Sequence, residues 1–150
     1  MATDALPDGP KARNVGGCHE VFDPVRRRWV ALTPEEWVRQ HTVLMLNRQY
    51  GYPLNLMQVE GAITLAGLTR RCDIVVYDST VRPFMIVECK NEAVPLTQKV
   101  IDQACRYNLV LQVPYLLLTN GRQQLCLRAD MVRQALSQVS IPRFEAVTSC

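Results

Sequence analysis

CDIVVYDSTVRPFMIVECK, residues Cys72–Lys90, is the stretch whose reading decides the fold. An apolar run from Ile74 to Tyr77 follows Asp73. A polar turn, Asp78 to Pro83, leads into a second apolar run, Phe84 to Val87, which ends in Glu88-Cys89-Lys90. Unbroken apolar runs of this kind argue for strands over 72–77 and 84–90 that are buried on both faces, as in a sheet sandwiched by helices. Joined as a hairpin, the start of the first strand meets the end of the second, so Asp73 lies beside Glu88. Residues i and i+2 of a strand project to one face, which sets Glu88 and Lys90 together and turns Cys89 away. Two carboxylates held close repel unless a cation or a proton sits between them. A bound Mg²⁺ would remove that cost, and Lys90 beside it could hold a water or offset phosphoryl charge. A strand-end ion pair for Glu88 and Lys90, and a turn role for Asp73, are the plainer readings of the same residues.

The neighbouring segments extend this hairpin into an α/β domain. Thr33-Pro34-Glu35-Glu36 opens a helix: Thr33 suits the N-cap, Pro34 the first helical position, and Glu36 the capping-box position. Trp37, His41, Leu44, Met45 and Arg48 follow at helical spacing and predict one mainly apolar side. Gly51 and Pro53 end the helix. Residues 56–66 read as a bent or bulged strand around Glu60-Gly61. A second helix is expected over about 98–112, its inner face marked by Val100, Ala104, Tyr107 and Leu111. Tyr115–Thr119 is a strand, Asn120-Gly121 signals a type I′ turn, and Gln124–Arg128 pairs back. A short helix is expected near 130–138, then an irregular tail. Strands around one crossover helix predict a mixed sheet with helices on both faces.

Asp73, followed fifteen residues later by Glu88-x-Lys90 at paired strand ends, resembles the PD-(D/E)xK nuclease superfamily. Three further features carry the likeness. Glu36 sits on a leading helix, where many members supply an additional acidic residue. Gln103-Ala-Cys-Arg-Tyr107 looks like the QxxxY motif of RecB-like nucleases. Tyr115-Leu-Leu-Leu-Thr-Asn-Gly121 resembles the strand and turn that follow it. Residues 34 to about 128 together resemble the nuclease domain at the N-terminus of type I restriction enzyme R subunits. Cys72 stands where the signature has proline, and Asn91-Glu92 follow the lysine.

The resemblance implies a restriction-endonuclease-like core and Mg²⁺-dependent endonucleolytic hydrolysis of DNA, with Mn²⁺ as a substitute metal. It implies that Asp73 and Glu88 bind the metal, with the Cys89 carbonyl as a third ligand, and that Glu36 completes the acidic cluster directly or through water. Lys90 would orient or activate the attacking water, while Gln103 and Tyr107 would fix the core or touch the substrate backbone. A module of the same fold that binds DNA or partners with little turnover is the alternative. DNA is the expected partner. A motor or specificity subunit and a second copy of the chain are open as further partners.

Composition sets bounds on these readings. A length of 150 residues fits one domain: an arm rich in Pro, Gly, Asp and Ala over 1–16, expected to be flexible, and a single nuclease-like unit over 17–150. A net charge of +3 is compatible with a polyanionic partner without singling one out. Arg26-Arg27-Arg28 and Arg70-Arg71 read as solvated loops or as phosphate contacts. Residues 20–31 predict a small hairpin turning at Asp23-Pro24. The six cysteines form no CxxC pair and several lie in apolar runs, as expected of a reduced, cytoplasmic protein. Cys18-His19 lack further ligands at zinc-finger spacing. No apolar segment of transmembrane length, signal region, phosphate-binding loop or dinucleotide fingerprint is present, so neither a membrane nor a nucleotide cofactor is expected.

Overall fold

A computed structural model of the chain describes residues 9–130 and 132–145. The elements run β1 (Ala12–Val15), β2 (Cys18–Asp23), β3 (Arg28–Ala31), α1 (Pro34–Arg48), β4 (Met57–Val59), β5 (Ala62–Leu65), β6 (Leu68–Arg71), β7 (Ile74–Tyr77), β8 (Pro83–Cys89), α2 (Gln98–Leu111), β9 (Tyr115–Thr119), β10 (Gln124–Asp130) and β11 (Ala135–Val139). The main sheet has the order β11-β10-β9-β8-β7-β4. Its one parallel pair is β8 with β9, joined through α2, and the other pairs are antiparallel. No helix among the described residues is long and apolar enough to cross a membrane.

Alternation along the central strands builds two cores. Ile74, Val76, Met85, Val87, Cys89 and Leu117 pack with Val38, Val43 and Leu46 of α1. Val75, Ile86, Leu116 and Leu118 pack with Ala104 and Leu111 of α2. The sheet is therefore flanked by one helix on each face, the expected α/β, restriction-endonuclease-like arrangement, and its central strands are apolar throughout because neither face meets water.

Local signals explain the helix ends. The Thr33 hydroxyl accepts the Glu36 N–H at 3.0 Å, and Pro34 needs no donor partner at the first turn. Thr97 caps α2 through the Val100 N–H at 3.4 Å, and Gln112 closes it in the left-handed region at φ 57°.

The structure departs from the sequence reading in six places. Residues 1–8 lie outside the described residues, but Ala12–Val15 is a strand paired with β2, so the arm expected to reach residue 16 stops short of it. The hairpin expected over 20–31 is there and becomes three-stranded. The inward side of α1 is Val38, Thr42, Val43 and Leu46 with Glu36, Arg39 and Gln40, while His41 and Arg48 are exposed and Trp37 is only half-buried. Charged residues that find partners hide this face from an apolar count. The segment 56–66 is two strands, broken where Glu60 takes φ 55°; β5 leaves the main sheet and pairs with β6. Asn120 does not adopt positive φ, as a type I′ turn requires. Four residues separate the paired ends Thr119 and Gln124, and the Asn120 side chain accepts the N–H groups of Arg122 and Gln123. The helix expected near 130–138 is strand β11, reached by a turn in which Asp130 accepts the N–H groups of Val132 and Arg133.

Candidate active site

The β7–β8 hairpin delivers the acidic pair. Its register sets Ile74 across from Val87, and one step further along the hairpin Asp73 meets Glu88. Asp73 lies just beyond the strand, so its carboxylate bridges the sheet end. Oδ2 accepts the Cys89 N–H at 2.9 Å, and Oδ1 accepts from Arg39 of α1 at 2.8 Å. Glu88 follows Ile86 on the α2 side, and Cys89 follows Val87 into the α1 core, the split expected from strand alternation. The Lys90 N–H donates to the Thr119 carbonyl at 2.8 Å, which extends the β8–β9 pairing to the end of the motif.

On the α1 side of this point, acids and arginines alternate. Arg26 donates to Asp23 and to Glu36 and stands 3.3 Å from Glu60. Arg39 stands 3.1 Å from Glu36, 3.7 Å from Glu60 and 2.8 Å from Asp73. Glu60 also ties its backbone to the site, since its N–H donates to the Asp73 carbonyl at 2.8 Å. Burial lowers the pKa of Arg26 and of Arg39. For Arg26 the hydrogen bonds to Asp23 and Glu36 outweigh it; for Arg39 the Asp73 hydrogen bond and the Glu36 charge do, and both pKa values rise.

The α2 side is differently balanced. Glu88 is buried at 9% exposure, and its only ion pair among the described residues is with Arg70 of β6, at 3.3 Å. Burial first, and then the charge of Asp73, push the Glu88 carboxyl up to about 7, with Arg70 and Lys90 opposing. The Arg70 guanidinium lies 3.6 Å from the centre of the Tyr107 ring. Tyr107 is 42% exposed, so it is not the core residue its helical spacing suggested; it forms a platform on the outer surface of α2. Arg70, Glu88, Lys90 and Gln103 line one small recess of about 70 Å³, floored by Val100, Ala104 and Leu118.

The family described as type I restriction enzyme R protein N terminus matches residues 34–142. The chain belongs to that family. The fold of a fragment of an HsdR subunit of a type I restriction enzyme from Vibrio vulnificus YJ016 is similar, with a TM-score of 0.50 and 20% identity over 75% of this chain. This chain spans 24% of the length of that one. Comparison with curated proteins finds no match.

In this member of the R-protein N-terminal family, Asp73, Glu88 and Lys90 come to one sheet end with Gln103 beside them. Among the described residues no three metal-ligating side chains close around one point. Asp73 and Glu88 offer hard oxygen donors, the kind Mg²⁺ takes one or two at a time while keeping its waters. Burial and the facing Asp73 both disfavour the charged form of Glu88, and a divalent cation between the two carboxylates would offset that cost. Glu36 is engaged by Arg26 and Arg39 and reaches Asp73 through the Arg39 guanidinium.

Sequence reasoning passed over four charged residues here. Arg39 carries no motif. Arg26 stands in a basic triplet read as a loop or phosphate contact, yet its side chain is interior and saturated. Arg70, from the other basic pair, contacts Glu88. Glu60, in sequence a weaker acidic candidate outside the main site because it falls at the bulge, contacts both Arg26 and Arg39. The readable signal for Glu60 was the Glu-Gly break in an apolar segment, where the chain turns across the sheet end. Of the cysteines, Cys72, Cys89 and Cys126 are buried, and burial raises the thiols of Cys72 and Cys126 to about 11.

Proposed function

We propose that this chain is a metal-dependent nuclease domain that hydrolyses DNA phosphodiester bonds. The observation that carries the reading is the acid pair Asp73–Glu88 at one sheet end with Lys90 on the Glu88 face, beside a carboxyl raised to about 7. Asp73, Glu88 and the Cys89 carbonyl would hold Mg²⁺, or Mn²⁺ in its place. When bound, such an ion supplies a water acidic enough to attack at neutral pH and charge for the phosphoryl oxygens. The chain's own residues do the rest. Lys90 holds the attacking water by hydrogen bonding and offsets negative charge on the phosphoryl group. Gln103, exposed on α2 and lining the recess, bonds the backbone of the strand being cut. Glu36 acts from behind Arg39, keeping that guanidinium on Asp73.

Supercoiled, linear, single-stranded and branched DNA incubated with Mg²⁺ or Mn²⁺ tests this. Wild type cuts at least one form and Lys90→Ala loses about 10²-fold or more, the range for removing one preorganised charge-stabilising donor. Cutting by Asp73→Ala, Glu88→Ala and Lys90→Ala combined would overturn it.

The arginines on Asp73 and Glu88 favour a second reading, a nuclease-fold module that binds DNA or assembles with partners and turns over little. It gives salt-dependent binding and no cleavage with either metal. Under both readings a motor or specificity subunit, or a second copy of the chain, completes the working assembly.

A further inference from the structure

Arg70 has three features that a surface arginine does not combine. It forms the ion pair of a buried catalytic-site carboxylate, Glu88, at 3.3 Å. It is stacked 3.6 Å from the Tyr107 ring centre, a contact that does not depend on Glu88. It lines the same recess as Lys90 and Gln103. At 3.3 Å the bond to Glu88 is long for a charge-assisted one, which forms at about 2.7–2.9 Å. The stack, at 3.6 Å to the ring centre, lies well inside the roughly 6 Å range of such contacts. The β5–β6 hairpin that carries Arg70 pairs only with itself, and Ile63 of β5 packs it on the core between the main sheet and α2.

We infer that Arg70 is the exchangeable counter-ion of Glu88, giving up the carboxylate when a divalent cation binds and offering its guanidinium, still held on Tyr107, to a phosphate of the nucleic-acid strand in the recess. This assignment rests on the nuclease reading above. One cation replaces another at Glu88, so the acid is never left without compensation. The freed guanidinium is planar and suits two phosphate oxygens at once. Tyr107 thereby acquires a positioning role: it fixes the arginine in both states. Metal and nucleic acid then bind with positive coupling through a residue that ligates neither metal nor water.

Direct Mn²⁺ binding, followed by calorimetry or by the electron-spin signal of free Mn²⁺, tests this without any turnover. Arg70→Gln removes the competitor and binds Mn²⁺ about tenfold more tightly than wild type. A merely structural loss would loosen the site instead. Ca²⁺ strengthens binding of a 20-base-pair duplex to wild type more than to Arg70→Gln, and the variant's salt slope is shallower by about one phosphate contact. Tyr107→Phe keeps the ring and behaves as wild type. Wild type that binds Mn²⁺, with Arg70→Gln no tighter, overturns the Arg70 assignment and leaves the nuclease reading standing. Wild type and Arg70→Gln that both fail to bind Mn²⁺, and so match Glu88→Gln, overturn both.

Discussion

The two sides of the site treat the same problem in opposite ways. On the α1 side, Asp23, Glu36, Glu60 and Asp73 surround Arg26 and Arg39, and every one of these acids contacts at least one guanidinium. On the α2 side, Glu88 has one longer ion pair and a carboxyl raised to about 7. A saturated cluster fixes geometry, because each charge is held by several partners and removing any one strands the others. An undersaturated acid stores a demand for positive charge that a metal can meet. Under the proposed function the sheet end is thus half scaffold and half receptor, and Asp73 belongs to both, bound to Arg39 and facing Glu88.

The largest expected effect comes from breaking the scaffold half. Arg39→Ala leaves Glu36 and Asp73 short of a buried partner, and removing one member of such a pair costs about 3–5 kcal/mol. Urea unfolding measures it. A loss below about 1 kcal/mol would mean that the α1 cluster is ordinary surface pairing. Arg26→Ala tests the other end of the same network, and the double variant loses less than the sum of the singles because both arginines share Glu36 and Glu60.

The receptor half responds with the opposite sign. Glu88 has a folded pKa above its ordinary value, so the folded state favours the protonated acid. Stability assigned to Glu88 is intact below about pH 4.5 and falls as pH rises through about 7. In chelator at pH 8, Glu88→Gln is therefore more stable than wild type, by up to roughly 3 kcal/mol from the size of that rise. The two converge near pH 4. Unfolding at stepped pH checks this, and saturating Mn²⁺ closes the gap at pH 8. A variant less stable than wild type at pH 8 would place Glu88 with the scaffold.

The smallest expected difference lies in the helix caps behind the two halves. Thr33→Ala removes a 3.0 Å bond at the turn that aims Glu36, and costs about 1 kcal/mol. Thr97→Ala removes a 3.4 Å bond at the start of α2 and costs less, at the low end of the range, about 0.5 kcal/mol. Thermal unfolding of the two variants side by side ranks them.

How much of this was readable depends on whether a residue's partner is near in sequence. Glu88, Cys89 and Lys90 sort correctly by strand alternation alone, and Asp73 follows from the hairpin. Thr33 and Pro34 announce α1 within one turn. Arg39 meets Asp73 thirty-four residues away, and Arg26 meets Glu60 at the same separation, so nothing local marks either as interior. The same blindness misassigned the α1 face, where partnered charges occupy positions an apolar count expects to be solvent. Of the two readings of Tyr107, the core one does not hold, for a related reason. Its spacing is that of a core residue, but the Arg70 stack gives an exposed ring a fixed place. Residues 130–138 turned on a short-range ambiguity. A short helix is expected there, yet Asp130 closes a tight turn whose far limb finds an open strand edge at β10.

Lys90 is anchored by its own amide to Thr119, at the end of a strand with neighbours on both sides. Backbone amides of central strands exchange their hydrogens with water through larger openings than those of loops and frayed ends. Glu88 and Cys89, the last residues of β8, therefore belong to the part of the fold that is slow to open. Heat that abolishes the site acts on the sheet that carries it, whereas the β5–β6 hairpin that bears Arg70 has no partner strand in that sheet and is held by packing, with Ile63 buried in the α2 core.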